Sequence, residues 1–293
     1  MSGSNSYITG ITEIDSTASA LSYLYGLSLN QSNLRFRGQG NFDWDIKPSI
    51  YRSFERYQTV QFEKFLLDAR PLEPCPPLIH TPFELEWLMV AQHYSVPTRL
   101  LDWSSDILIA LYFACVDRER MKDDGVLLVC NQDDYPQYNA DHERAMESQE
   151  LSFVSTNVVN PRMRLQSGSF MMWGHGPLDE ATHESYDLWK YHDGEDKEFF
   201  LEKLRIRSEK KETILNELDQ IYSINHQNVF QVNGYLENKY LGQFKLLKKN
   251  LNLMTLYVTD ADRLNKEEEA AARKNFRIEC KNMFGKCTNL RKM

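Results

Sequence analysis

The chain has 293 residues, 42% apolar and 26% charged, with a formal net charge of −8. That balance is typical of a soluble globular protein with material for one large core or two small ones. It gives no overall support to nucleic-acid binding, and the longest apolar stretch, Ile107–Val116, is about half of what a membrane span needs.

The five cysteines include no C-x-x-C pair, and Cys115 and Cys130 sit in apolar runs as small core hydrophobes. This predicts a reducing compartment and no disulfide framework. The N-terminus has neither a basic n-region nor an apolar h-region, so a cytoplasmic location is expected.

In chain order, Tyr7–Ile11 reads as a short strand. Ser16–Tyr25 reads as a helix capped by Ser16 that buries Ala20, Leu21, Leu24 and Tyr25. Asn33–Gly38 alternates, with Leu34 and Phe36 on one face of a strand and Arg35 and Arg37 on the other. Gly38 and Gly40 mark a turn, and Trp44–Ile50 is extended because Pro48 cannot sit inside a helix. Ser53–Leu67 fits an amphipathic helix. Five prolines between Pro71 and Pro82 dictate a connector. Thr81-Pro82-Phe83-Glu84 starts a helix that runs to about Tyr94, where Val96-Pro97 ends it.

Thr98–Trp103 is then extended. Ser104 or Ser105 caps a helix through Ile107–Ala114, apolar nearly all round, with Asp106 in its first turn. Gly125–Cys130 is a buried strand. Residues 131–160 are polar and carry no clear periodicity. Pro161–Trp173 reads as two strand pieces with a Ser-Gly break, residues 174–196 as a surface loop and Phe199–Arg207 as a strand. Ser208–Tyr222 is a capped helix burying Ile214, Leu218, Ile221 and Tyr222, and Leu236–Leu251 is another. Asn265–Arg277 is a solvated helix former.

Few motifs of known chemistry are present. The sequence has no Walker A loop, G-x-G-x-x-G, G-x-S-x-G or H-E-x-x-H. His175, His183 and His192 are not at zinc spacing, so no metal is expected. Arg37-Gly38-Gln39 presents a rigid fork of donors next to a residue that permits close approach. The plainer alternative is a structural ion pair of Arg37 or Arg99 with Asp102. His93, at a helix C-terminus, is either a site base or a packing residue. Asp102 orients Arg99 or contacts a ligand, and Trp103 is core rather than a stacking platform. Gln166, before the Gly168 break, either reads a ribose hydroxyl or is exposed beside a bulge. The basic residues after Lys281 form a solvated tail rather than a nucleic-acid contact.

Taken together, Phe36-Arg37-Gly38, Trp44…Lys47-Pro48-Ser49…Arg52, Ala91-Gln92-His93-Tyr94-x-x-Pro97-Thr98-Arg99-Leu100-Leu101-Asp102-Trp103-Ser104 and Ala110-Leu111-Tyr112-Phe113-Ala114 resemble the FRG-domain family of largely bacterial proteins. The resemblance extends over Arg164–Phe170 and the helix around Lys211–Leu218. It divides the chain into an N-terminal segment (1–25), the FRG domain (26–250) and a charged helical C-terminal extension (251–293). The family is also similar, distantly, to the ADP-ribosyltransferase fold. There a first-strand Arg or His holds NAD, a second strand ending in Ser, Thr or Tyr leads into a helix, and a later strand carries Glu or Gln.

That likeness implies an α+β fold, a mostly antiparallel sheet flanked by helices. It further implies an NAD-using ADP-ribosyltransferase-like enzyme, acting as a toxin or anti-phage effector on an acceptor the sequence does not identify. Arg37 would bind the pyrophosphate, with Gly38, Gln39, Arg99 and Ser104 in the cofactor pocket. Arg37, His93, Asp102 and Gln166 would serve the chemistry. A neutral Gln stabilises an oxocarbenium ion less well than a carboxylate does, so Asp102 is the candidate for that charge. The alternatives are a non-catalytic nucleotide- or nucleic-acid-binding module, and an interaction domain in which Arg37, Arg99 and Asp102 pair up away from solvent.

Overall fold

The structure is a computed structural model that describes residues 12–53, 85, 88–89, 92, 97–139, 150–155, 166–174, 187–189 and 199–230. The strand expected at 7–11, most of the helices expected at 53–67 and 83–94, the connector at 71–82, the helix at 236–251, the C-terminal extension and His93 lie outside these residues.

Alternating apolar side chains build the sheet. β1 (Leu34–Gln39), β2 (Leu100–Ser104), β3 (Gly125–Asn131), β4 (Gln137–Asn139), β5 (Ser152–Ser155), β6 (Gly168–Met172) and β7 (Leu201–Ile206) assemble in the order β4-β5-β6-β2-β1-β3-β7. All neighbours run antiparallel except β4 and β5. β4 and β5 carry three and four residues. They lie in the polar stretch without periodicity, where the sequence gives no strand signal.

One sheet face carries a helical layer. α1 (Thr17–Ser28), α3 (Ile107–Cys115), α4 (Lys211–Tyr222) and α5 (His226–Phe230) form it, whereas the short α2 (Ile50–Ser53) packs its Tyr51 on the other face. Leu34, Phe36, Leu127, Val129, Leu204 and Ile206 pack against α1, α3 and α4. Leu101, Trp103, Val126, Leu128, Cys130, Phe153 and Met171 form a second core on the opposite face, beneath Ile46, Tyr135 and Leu188. β3 is thus buried on both faces, as its unbroken apolar run requires.

α1 begins at Ser16 with a capping box completed by Ser19. Ala20 is buried, but Tyr25 is 71% exposed, which corrects the expectation of a buried ring. The same holds on α4, where Ile214 and Leu218 are buried while Ile221 is 66% exposed. In each case a later residue, Leu27 after Tyr25 and Ile224 after Ile221, still packs against the core, so the exposed side chain is a local departure from the stripe. α4 has no side-chain cap, and Ser223 closes it in the left-handed region. The N-cap of α3 is Asp106, which accepts from the Leu108 amide, rather than Ser104 or Ser105. Ser104 instead ends β2.

α3 is the hub. Gly38 is a strand residue, not a turn. A Cβ built there would sit 1.9 Å from the Ala110 carbonyl oxygen and 2.4 Å from the Ala114 nitrogen. Only glycine lets the α3 backbone lie on β1 this closely. Gly125 plays a similar part, its Cβ position falling 2.7 Å from the Ala114 oxygen.

A wholly buried lysine fastens α4 to the segments that follow β1 and α3. Lys211 Nζ donates to the Gly40 carbonyl at 2.8 Å and the Arg120 carbonyl at 2.7 Å. Burial pushes its pKa down, against the opposing influence of Cys115, Asp123, Asp117 and Asp124. Cys115 and Cys130 are buried free thiols. Burial raises both pKa values, that of Cys115 to about 12, so neither forms a thiolate at neutral pH. No described helix is long and apolar enough to cross a membrane.

Candidate functional site

The sheet is weakest where its two halves meet. β1 and β3 share six paired positions, whereas β1 and β2 share only Phe36 and Ser104. Beyond that rung the two strands part, and a cavity of about 410 Å³ lies along the split. That is the size range of a small-molecule site. Its lining includes Arg37, Gly38, Gln39, Asp102, Trp103, Ser104 and Gln166.

Arg37 reaches across the gap. Its Nη1 donates to the Asp102 main-chain carbonyl at 2.6 Å, and its Nε donates to Gln39 Oε1 at 3.1 Å. The guanidinium therefore takes a carbonyl that an unsplit ladder would pair with a backbone amide. Burial pulls Arg37 down to about 10, with the Asp102 charge raising it and the nearby Arg52 charge lowering it further. It remains a cation at neutral pH. Gln39 is 4% exposed, and its Nε2 has no hydrogen-bond partner among the described residues; nor has Trp103 Nε1 in the same wall.

The opposite corner is a stitched turn. Ser104 Oγ donates to the Gln166 carbonyl at 2.8 Å and accepts from the Asp106 amide at 3.0 Å. The Ser105 amide donates to the Ser167 carbonyl at 2.9 Å. Ser167 takes φ 46°, a left-handed conformation at the turn into β6. Gly168 is the first residue of β6 and pairs with Ser104, so it is a regular ladder position rather than a bulge. The strands carrying Arg37 and Ser104, and the strand that Gln166 precedes, are immediate neighbours in the sheet.

Asp102 lines the cavity and is exposed. Its carboxylate makes no hydrogen bond or ion pair among the described residues. Arg99 is elsewhere: 1% exposed, it donates Nη1 to the Trp173 carbonyl at 2.9 Å and does not line the cavity. The arrangement in which Arg37, Arg99 and Asp102 pair together is therefore not the one formed. Gly38 lines the cavity, but its Cα face is filled by α3, so its small size serves packing rather than ligand approach. Trp103 belongs to both the core and the cavity wall.

Other lining residues carried no assigned role in the sequence, although Trp44, Arg52, Gln92 and Phe113 belong to its motifs. Arg52, Gln92, Trp44 and Asp117 join from outside β1 and β2. Phe113 and Phe230 meet edge to face at 5.9 Å and make an apolar end. Arg120 sits over Trp44 at 5.5 Å. No group of three or more metal-ligating side chains occurs among the described residues.

These features define an α+β domain whose sheet opens into a half-polar, half-aromatic cavity. Residues 32–123 match the sequence model of the FRG domain, so the chain carries an FRG domain. No curated protein and no solved structure is significantly similar to the chain.

Proposed function

We propose that this FRG-domain protein binds NAD in the β1–β2 cavity and transfers its ADP-ribosyl group. The observation that carries this reading is the convergence of Arg37, Ser104 and Gln166, three adjacent stations of the sheet, on one cavity with an uncommitted Asp102 carboxylate. Arg37 binds phosphate oxygens through the N–H groups not already given to Asp102 and Gln39. Gln166 holds a ribose hydroxyl. Ser104 fixes the backbone of Gln166, since its hydroxyl is engaged there as donor. The apolar aromatic end at Phe113 and Phe230 suits a ring.

The bond that breaks joins the ribose C1′ to the nicotinamide nitrogen. Nicotinamide leaves with the electron pair, and the acceptor's nucleophilic atom adds to C1′ and loses its proton. The Asp102 carboxylate supports the positive charge that develops on the ribose. A second reading, a nucleotide-binding module without turnover, is favoured by the neutral amide at Gln166.

The test is incubation of the purified protein with NAD, following nicotinamide release, beside Arg37→Ala and Asp102→Asn. The transferase reading expects release that is lost in both variants. NAD binding by calorimetry without release, unaffected by Asp102→Asn, supports the module. Neither binding nor release refutes both.

A further inference from the structure

The cavity holds a second cation. Arg52, from α2, is exposed at the cavity wall, and its charge acts on Arg37 directly. Two guanidiniums repel, so bringing both to one space calls for an opposite charge. Neither forms an ion pair with a carboxylate among the described residues. Arg52 donates Nε and Nη2 to the Lys47 carbonyl at 3.1 and 2.8 Å. Arg37 donates to a carbonyl and a side-chain amide oxygen. The Asp102 charge acts on Arg37 and the Asp45 charge on Arg52, but neither carboxylate touches its guanidinium, so the donors of both stay directed at neutral acceptors and at the cavity. Each guanidinium commits its Nε hydrogen and one Nη group, and keeps further N–H donors uncommitted among the described residues.

We propose that Arg37 and Arg52 form a two-point clamp for a diphosphate, with Arg52 a ligand-binding residue in its own right. Two separate guanidiniums match two linked phosphates better than one, because each fork engages its own pair of oxygens. A cavity of about 410 Å³ suits a small molecule rather than a nucleic-acid strand, and the acidic chain would repel a polyanion outside it. The ligand class is therefore a nucleoside diphosphate or a dinucleotide joined through a diphosphate. This rests on the nucleotide reading above and specifies which part of the nucleotide is held, and by what.

The test is calorimetric titration of the full chain with inorganic pyrophosphate and, separately, orthophosphate. The proteins compared are the wild type, Arg52→Gln, Arg52→Lys and Arg37→Gln. The clamp requires that the wild type prefer pyrophosphate. Arg52→Gln should weaken pyrophosphate by about tenfold or more, since a hydrogen bond to a charged group is lost, and change orthophosphate far less. Arg52→Lys should recover part of the loss, as a point charge without the fork. Among the described residues the Arg52 side chain hydrogen-bonds the Lys47 carbonyl alone, and matched thermal melts of the variants check the fold. Equal pyrophosphate binding by wild type and Arg52→Gln, or no preference for pyrophosphate, overturns the clamp. NAD titrated in parallel separates the two claims. A pyrophosphate clamp without NAD binding leaves the inference standing and sinks the transferase. NAD turnover indifferent to Arg52→Gln does the reverse.

Discussion

Replacing Gly38 by alanine adds one carbon where there is no room. The new Cβ would lie 1.9 Å from the Ala110 oxygen and 2.4 Å from the Ala114 nitrogen. Both are backbone atoms of α3, so no side-chain rotation relieves the clash, and α3 must lift from β1. α3 is buried along nearly its whole length, so the shift spreads through the core on that face. Overpacking of ordinary sites costs about 1–3 kcal/mol, and a clash with rigid backbone belongs at or above the top of that range, at about 3 kcal/mol. For a domain of this size that lowers Tm by roughly 6–12 °C. Urea unfolding should show a lower midpoint with an unchanged slope. Gly26→Ala on α1 is the matched control, because nothing lies within 4 Å of its Cβ position; it should be neutral or stabilise by about 0.5–1 kcal/mol. A Gly38→Ala protein within 0.5 kcal/mol of wild type, roughly the scatter of surface substitutions, would refute the packing argument.

Three further outcomes are expected. Asp124 lies below the usual carboxylate range: burial raises it, but the bonds from the Ser208 amide and Arg205 and the charges of Arg207 and Arg205 outweigh that. A depressed carboxylate stabilises the fold above its unfolded value, near about 3.9, and loses that contribution as pH falls through the folded value. Asp124→Asn should therefore cost about 1 kcal/mol at pH 7 and flatten the loss of stability on acidification, measured by urea unfolding at pH 7 and pH 3. Lys211→Met leaves the Gly40 and Arg120 carbonyls without their donor and should cost about 2–4 kcal/mol, again by urea unfolding. If the protein is a toxin or defence effector, induced expression should deplete cellular NAD and arrest growth, and Arg37→Ala should do neither; arrest by both proteins would detach any toxicity from this site.

The faces of β1 were legible because alternation is a local rule: Leu34 and Phe36 point one way and Arg37 the other whatever the strand pairs with. α3 was legible as a buried helix for the same reason. Its cap was not, since Ser104, Ser105 and Asp106 are all competent; Asp106 takes the role because Ser104 is drawn into β2, where its hydroxyl donates to Gln166. That partner is 62 residues away in sequence. β4 and β5 are strands only by virtue of their neighbours, and short strands carry little pattern of their own. Arg52 entered the sequence reading only as a motif residue. Its proximity to Arg37 depends on how the segment after β1 folds back, which no local signal encodes.

The Lys211 ammonium has a consequence for how the molecule can be divided. The FRG match stops at residue 123, yet β1 finds its fullest pairing with β3, which begins at Gly125. The carbonyl of Gly40, on the cavity rim, is held from α4, 171 residues further along the chain. The stretch recognisable by homology is thus smaller than the unit that folds cooperatively. A fragment cut at the edge of the match would expose a bare strand edge, lose the tether on the cavity rim and be prone to associate through its unpaired backbone. Heritable signature and thermodynamic domain are different partitions of this chain, and the cavity belongs to the second.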